Sequence, residues 1–173
     1  ADLTSFSISG VNIYFNGATN LNLINNVETV TFSNTCFNNS EADDISSLTG
    51  YNYFHINKSA TFTMTNGVYL FDERKKLMIS EAAQVTIDSV AIIIGGEEVD
   101  GTLAAFDITS ESSTQTKVNI SKISITCDFD DGHRIALPNV FWISNTQTVG
   151  ISTLEMSNCT MRHPSGNQQS IIA

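Results

Sequence analysis

A short repeat constrains the fold of this chain more than any other feature. The stretch "VTIDSVAI" (85–92) contains two alternating apolar pairs, at 85/87 and 90/92, separated by the polar residues Asp88 and Ser89. Alternation with a period of two indicates strand structure. The same template recurs in "FSISGVNI" (6–13), "VTFSNTCF" (30–37), "VNISKISI" (118–125), "LEMSNCTM" (154–161) and, with Gly67 as one extra residue, "FTMTNGVYL" (62–70). A recurring segment of this kind predicts a repeat architecture.

The two polar residues in each template predict a tight corner. Gly or Asn dominates the second corner position, as expected where the backbone must adopt φ > 0. Such a corner keeps both flanking apolar pairs on the inside. A hairpin would instead pair strands of only three residues, repeatedly, which is too short for stable pairing. Thr35 is the non-apolar exception among the predicted inward positions.

A shorter apolar pair precedes most templates and predicts a third strand, here termed the leading strand. These pairs are Leu21/Leu23, Phe54/Ile56, Leu77/Ile79, Phe106/Ile108 and Phe141/Ile143. Each repeat therefore contributes three short strands, and successive repeats must stack about 4.8 Å apart to pair their backbones and bury their inward residues.

The repeated strand–corner–strand pattern, with Asn at several corners, resembles the right-handed parallel β-helix superfamily with the pectin-lyase-like fold. The resemblance covers nearly the whole chain. It implies an all-β, right-handed parallel β-helix (β-solenoid) of about five to six coils, with three short strands per coil. It implies one domain over residues 1–173, as a segment or protomer of a longer or polymeric assembly. The superfamily includes lyases, hydrolases and adhesins, so the fold does not fix a function.

Charge restricts the partners of the chain. The net charge is −10, and charged residues make up only 15% of the sequence. A nucleic acid or an anionic membrane would be repelled by this surface. No apolar run is long enough for membrane insertion. Three cysteines without metal-type spacing, Cys36, Cys127 and Cys159, give no disulfide framework, and stacking places Cys36 and Cys127 too far apart for an internal bridge.

The outward side of the leading strands is the predicted carbohydrate-binding face. Alternation assigns to it Asn22, His55, Asp107 and Trp142, together with Met78. In polysaccharide-degrading members of the superfamily this side lines the substrate cleft, and Trp142 could stack on a sugar ring. His55 and Asp107 are two coils apart, too far for a mutual hydrogen bond. No catalytic residue is therefore assigned, and an ordinary polar surface is the alternative.

Two further kinds of site are predicted from local sequence. Asp128, Asp130 and Asp131 in "DFDDGHR" (128–134) could bind Ca²⁺, although their spacing differs from an EF-hand loop and a solvated acidic loop is the preferred interpretation. No other cofactor is expected. Asn38, Asn57 and Asn119 begin N-glycosylation sequons at predicted exposed positions, whereas Asn158 falls on a corner and is excluded.

Threonine and serine recur on the outward side of the template's first strand. Thr-x-Thr occurs at 29/31 and 61/63, an arrangement similar to that of ice-binding β-solenoids, although Lys117 and Glu155 interrupt it farther along. Ordinary β-propensity also explains these residues.

Neither end of the repeat contains an amphipathic helix that would cover it, so either neighbouring coils were cut away or the ends meet other protomers head to tail. The leading hypothesis is a non-enzymatic, extracellular or cell-surface structural and adhesive module, glycosylated and part of a fibre or a long surface protein. The alternatives are a polysaccharide lyase or hydrolase and a binder of ice or carbohydrate surfaces.

Overall fold

The computed structural model describes residues 3–15, 21–39, 52–71, 75–95, 104–110, 115–128, 139–145, 151–157 and 160–162. Every regular element in these ranges is a β-strand, as the two-residue periodicity predicts. Within these ranges no helix is long and apolar enough to span a membrane. The strands are β1 (Ser5–Ser9), β2 (Asn12–Phe15), β3 (Leu21–Asn25), β4 (Thr29–Ser33), β5 (Cys36–Asn39), β6 (Asn52–Asn57), β7 (Thr61–Thr65), β8 (Val68–Phe71), β9 (Lys75–Ser80), β10 (Gln84–Asp88), β11 (Ala91–Gly95), β12 (Ala104–Ser110), β13 (Thr116–Ser121), β14 (Ser124–Asp128), β15 (Asn139–Asn145), β16 (Ile151–Ser157) and β17 (Thr160–Arg162).

Every third strand joins the same sheet, and all pairings are parallel. Sheet 1 has the order β1-β4-β7-β10-β13-β16, sheet 2 the order β2-β5-β8-β11-β14-β17, and sheet 3 the order β3-β6-β9-β12-β15. Sheet 3 contains the leading strands. Three parallel sheets visited in rotation are consistent with a parallel β-solenoid, which confirms the predicted all-β class and the stacking of repeats.

The predicted corners lie between sheets 1 and 2. Their second residues have positive φ at all five described corners: Gly10, Asn34, Asn66, Ser89 and Lys122. The N–H of Asn34 donates to the carbonyl of Thr65 (3.0 Å), and the N–H of Asn66 donates to that of Asp88 (3.1 Å). The interstrand hydrogen bonds therefore continue around the bend at the positive-φ residue.

The inward residues form continuous apolar columns. In sheet 1, Phe32 is in register with Met64 and Met64 with Ile87, and all three side chains are fully buried. Thr35 is buried as predicted, and its hydroxyl donates to the carbonyl of Ser33 (3.2 Å). An aromatic column crosses the interior, with ring centroids 5.5 Å apart for Phe37–Tyr69, 5.1 Å for Tyr69–Phe106 and 5.1 Å for Phe106–Phe141.

Gly67 is not an extra residue, which corrects the sequence-based interpretation. Val68 is in register with Cys36 and Ala91, so Gly67 occupies the same corner position as Thr35 and Val90. A Cβ atom at Gly67 would lie 2.7 Å from Met64 Cε and 3.0 Å from the carbonyl oxygen of Thr35. The inward position is therefore filled by Met64, and glycine is the residue that leaves room for it.

A second corner of constant geometry connects the first three described leading strands to sheet 1. Asn26, Lys58 and Glu81 have positive φ, and each is followed by a buried residue: Val27, Ser59 and Ala82. The template of two apolar pairs did not predict this second corner. Its signal is a recurring isoleucine two residues before the positive-φ residue, in "INN", "INK" and "ISE".

The constant corner shifts the first leading strand by one residue from its predicted register. Ile24 is in register with Ile56, and Asn22 with Phe54. Ile24 also packs against the core. Ile24, and not Leu23, thus takes the register position of the inward Ile56, because the corner fixes the distance from each inward isoleucine to sheet 1.

Candidate functional site

The outward face of sheet 3 brings together part of the predicted carbohydrate-binding face. His55 is in register with Met78, Met78 with Asp107, and Asp107 with Trp142. Asn22 does not belong to this column, because Leu23 takes the register position beside His55. Two strand spacings separate His55 from Asp107, which is about 10 Å and beyond a direct hydrogen bond.

A hydrogen-bonded ladder follows the next outward column of the same sheet. Asn57 Nδ2 donates to Asn25 Oδ1 (2.9 Å), and Ser80 Oγ donates to Asn57 Oδ1 (2.9 Å). His55 Nε2 lies 2.6 Å from Ser80 Oγ. Since Ser80 is only 5% exposed, the ladder runs along the edge of the core and links three leading strands.

The direction of the hydrogen bonds in the ladder determines whether His55 donates to Ser80 or accepts from it. When the single hydroxyl proton of Ser80 is donated to Asn57 Oδ1, the hydrogen bond between Ser80 and His55 is donated by His55 Nε2. An imidazole that donates at this nitrogen cannot accept the serine proton through it. With the protons arranged in this way, the pair is a structural link between β6 and β9.

Asp107 is also engaged within its own strand. Thr109 Oγ1 donates to Asp107 Oδ1 at 2.9 Å. Polar groups of sheet 3 thus hydrogen-bond to each other over several strands. The sequence analysis did not name Asn25, Ser80 or Thr109 as members of this face, because it considered only the residue between the two apolar positions of each leading strand.

A second polar cluster lies at a corner between sheets 1 and 2. Asp88 accepts hydrogen bonds from Ser121 Oγ and from Ser89 Oγ (3.0 Å), and Lys122 Nζ lies 3.5 Å from its Oδ1. The hydrogen bond from Ser121 lowers the pKa of Asp88 most, followed by that from Ser89, and the charge of Lys122 lowers it further. Burial raises this pKa, but by less than the hydrogen bonds lower it. Lys122 is exposed and Asp88 is 27% exposed, so this ion pair itself contributes little to stability.

The three candidate glycosylation sites have different surroundings. Asn57 is bonded on both sides in the ladder, and the serine of its sequon, Ser59, is buried. Asn119 lies on β13 in register with Thr86 on the outward side of sheet 1, and it is half-buried. Asn38 lies on β5 in register with Tyr14. Asn119 is therefore the better placed of Asn57 and Asn119 to carry a glycan.

The candidate calcium site falls mainly outside the described residues. Asp128 ends β14, whereas Asp130 and Asp131 belong to the part of the chain that is not described. In the described ranges, no group of three or more His, Cys, Asp or Glu side chains could hold a metal ion. Cys36 is a free, half-buried thiol, and burial raises its pKa.

No protein-family model, curated protein or solved structure matches this chain. Its function must therefore be inferred from its own surfaces.

Proposed function

We propose that the chain is a structural and adhesive β-helix module that stacks end to end at a cell surface or outside the cell. The observation that carries this proposal is incomplete coverage beside β1 and β2. Leu3 and Val11 are 57% and 43% exposed, and they are the exposed large apolar side chains of the described residues. Phe6 and Ile8 are only partly buried, whereas their partners in register, Val30 and Phe32, are fully buried.

A second copy of the chain would complete these columns. Phe6 and Ile8 begin two inward columns of sheet 1, and at its other end the corresponding register positions are those of Leu154 and Met156. Stacking β16 of one copy on β1 of the next would continue an apolar column with apolar residues. It would also add β16 along the side of β1 that faces away from β4, which is a form of strand addition. Such a head-to-tail contact generates filaments.

The handedness of the fold, its number of coils and its superfamily are part of this proposal. We expect right-handed winding, because nearly all parallel strand connections that cross over within a sheet have this hand. About five to six coils with three strands each, and membership of the pectin-lyase-like superfamily, agree with the repeat. The whole chain, residues 1–173, would then form one domain.

Surface chemistry favours an extracellular location. The chain combines a net charge of −10 with few charged residues and many uncharged polar ones, which suits a soluble, non-adsorbing surface. Glycans are the expected modification, at Asn38, Asn57 or Asn119, with Asn119 better placed than Asn57. Nucleic acids and membrane lipids are not expected partners.

Polysaccharide cleavage is the competing function, and it would use the outward face of sheet 3. The internal bonds of His55, Ser80 and Asp107 do not favour it, because these groups hydrogen-bond to neighbours in the same face. Ca²⁺ held by Asp128, Asp130 and Asp131 would be its expected cofactor.

Analytical ultracentrifugation over a range of concentrations, with negative-stain electron microscopy, tests the proposal. We expect concentration-dependent end-to-end particles, which the substitution Val11→Lys should disrupt. Ser124→Lys is the matched control, because Ser124 is an exposed residue on the side of the stack and should leave assembly intact. A chain that stays monomeric at high concentration, or that cleaves polysaccharides with or without Ca²⁺, would contradict the proposal.

A further inference from the structure

The outward face of sheet 1 carries a lattice of hydroxyl groups near one end of the sheet. On the three neighbouring strands β1, β4 and β7, every outward residue is serine or threonine. We call this set the hydroxyl lattice, and its members are Ser5, Ser7, Ser9, Thr29, Thr31, Ser33, Thr61, Thr63 and Thr65. Strand register places them in rows about 4.8 Å apart, with about 6.6 Å between alternate residues along each strand. Nine neighbouring positions therefore repeat in two dimensions.

The hydroxyl groups at the centre of this lattice are available to an external partner. No hydrogen bond within the described residues occupies the hydroxyls of Thr29, Thr31, Thr61 or Thr63. The one bond inside the lattice joins Ser33 Oγ to Ser9 Oγ (2.9 Å), at the corner column. Sheet 3 is the opposite case, because its amide, hydroxyl and imidazole groups bond to each other. The two polar faces of the molecule thus differ in what they leave free.

The threonines of the lattice on β4 and β7 are also ordered before any partner binds. Threonine is branched at Cβ, which restricts its χ1 rotation, and every second residue of β4 and β7 between these threonines is fully buried. Holding the hydroxyls in place therefore costs little additional conformational entropy on binding. A rigid, two-dimensional lattice is complementary to a rigid, periodic ligand.

The chemistry of the lattice selects among periodic ligands. It contains no charged side chain to hold an ionic surface and no aromatic ring to stack on a sugar. A hydroxyl both donates and accepts hydrogen bonds, as a water molecule does. The threonine methyl groups lie between the hydroxyls and add no polar group that would compete with them for hydrogen bonds to a ligand. We propose that the hydroxyl lattice binds the surface of ice, with its hydroxyls taking the places of water molecules in an ordered layer.

The outward residues of the strands beyond β7 mark where the hydroxyl lattice ends. In register with Thr61, Thr63 and Thr65 are Gln84, Thr86 and Asp88. The next strand presents Lys117, Asn119 and Ser121 at these positions. Charged groups hold their own hydration shells and do not fit a neutral lattice of water, so the binding surface is limited to β1, β4 and β7.

Partition of the purified chain into a slowly growing ice front, together with ice-crystal shaping and thermal hysteresis, tests this proposal. We expect the wild type to enter the ice and to shape its crystals. The double substitution Thr31→Lys/Thr63→Lys should abolish both effects, because two charges would lie at the centre of the lattice. Thr126→Lys is the matched control, since Thr126 is an exposed threonine on the outward side of sheet 2, and it should behave as the wild type.

Circular dichroism of all variants establishes that each is folded. Thr31→Ser and Thr31→Val then separate the contribution of the hydroxyl from that of the methyl group, and the proposal expects Val to weaken ice binding more than Ser. Exclusion of the wild type from ice would overturn the proposal, whatever the oligomeric state. Retention by microcrystalline cellulose without any effect on ice would also overturn it, in favour of a solid polysaccharide as the ligand.

Discussion

Ser80 Oγ lies 2.6 Å from His55 Nε2 and directs its own proton to Asn57. With this direction of donation, neutral His55 is expected to be protonated at Nε2. Nitrogen chemical shifts of the imidazole, measured by NMR, should give this tautomer. A signal from the form protonated only at Nδ1 would reverse the direction of the ladder and restore Ser80–His55 as a candidate nucleophile–base pair.

The substitution Ser80→Ala should destabilise the fold. It removes the hydroxyl that joins Asn57 and His55, so we expect the free energy of unfolding to fall by about 1–2 kcal/mol. Chemical denaturation gives this value. Ser124→Ala is the control, because Ser124 is exposed on sheet 2, and it should change stability by much less.

The corner at Asn66 should discriminate between alanine and glycine. Asn66 has φ = 51°, a left-handed conformation that glycine adopts freely and that asparagine adopts more readily than alanine. Asn66→Ala should therefore lower the free energy of unfolding by about 1 kcal/mol, whereas Asn66→Gly should change it little. Thermal and urea unfolding measure both variants. Equal destabilisation by the two substitutions would mean that the asparagine side chain, and not the backbone conformation, matters at this corner.

Ser59 is the position at which removing a polar group should stabilise the chain. Its hydroxyl is buried and has no hydrogen-bond partner, and the equivalent corner positions hold Val27 and Ala82. Ser59→Ala should raise the free energy of unfolding by about 1 kcal/mol. Ala82→Ser is the reciprocal change and should lower it. Loss of stability in Ser59→Ala would indicate that this hydroxyl makes a bond in solution.

Asp88 should make stability depend on acid pH. Its pKa is lowered in the folded chain, so the ionised form is favoured by folding, and its contribution is present above the unfolded pKa of about 3.9 and is lost as pH falls through the folded value. Asp88→Asn should remove this step from a plot of unfolding free energy against pH. Ser121→Ala, which removes the largest cause of the shift, should reduce it. An unchanged profile in both variants would mean that other carboxylates account for the acid sensitivity.

The parallel sheets and the corners between sheets 1 and 2 could be predicted because each repeat contains a pattern that is independent of loop length. Ser89 and Lys122 were placed correctly at positive φ by their position in the template, although neither residue type favours that conformation. Gly67 was misplaced for a physical reason. A residue without a side chain gives no hydrophobic signal, so the pattern was matched to Val68 instead.

The polar ladder of sheet 3 was beyond what the pattern could predict. "LNLIN" (21–25) alternates with leucine at 21/23, and only the position of the corner at Asn26 shows that Ile24 faces the core. The contact between His55 and Ser80 is diagonal and joins strands separated by a connection that carries no periodic signal. Such a contact follows from the register, and the register follows from backbone geometry that a single sequence does not display.

Each described strand pairs only with the strand one turn before it and the strand one turn after it in its own sheet. A local disruption therefore affects mainly the two neighbouring strands, and its effect decreases with distance along the sheet. Amide protons should exchange fastest in β1 and slowest in central strands such as β7 and β10, because fraying proceeds inward from the rim. In such a molecule the end strands unfold before the central strands, and no single strand pairing holds the whole stack together.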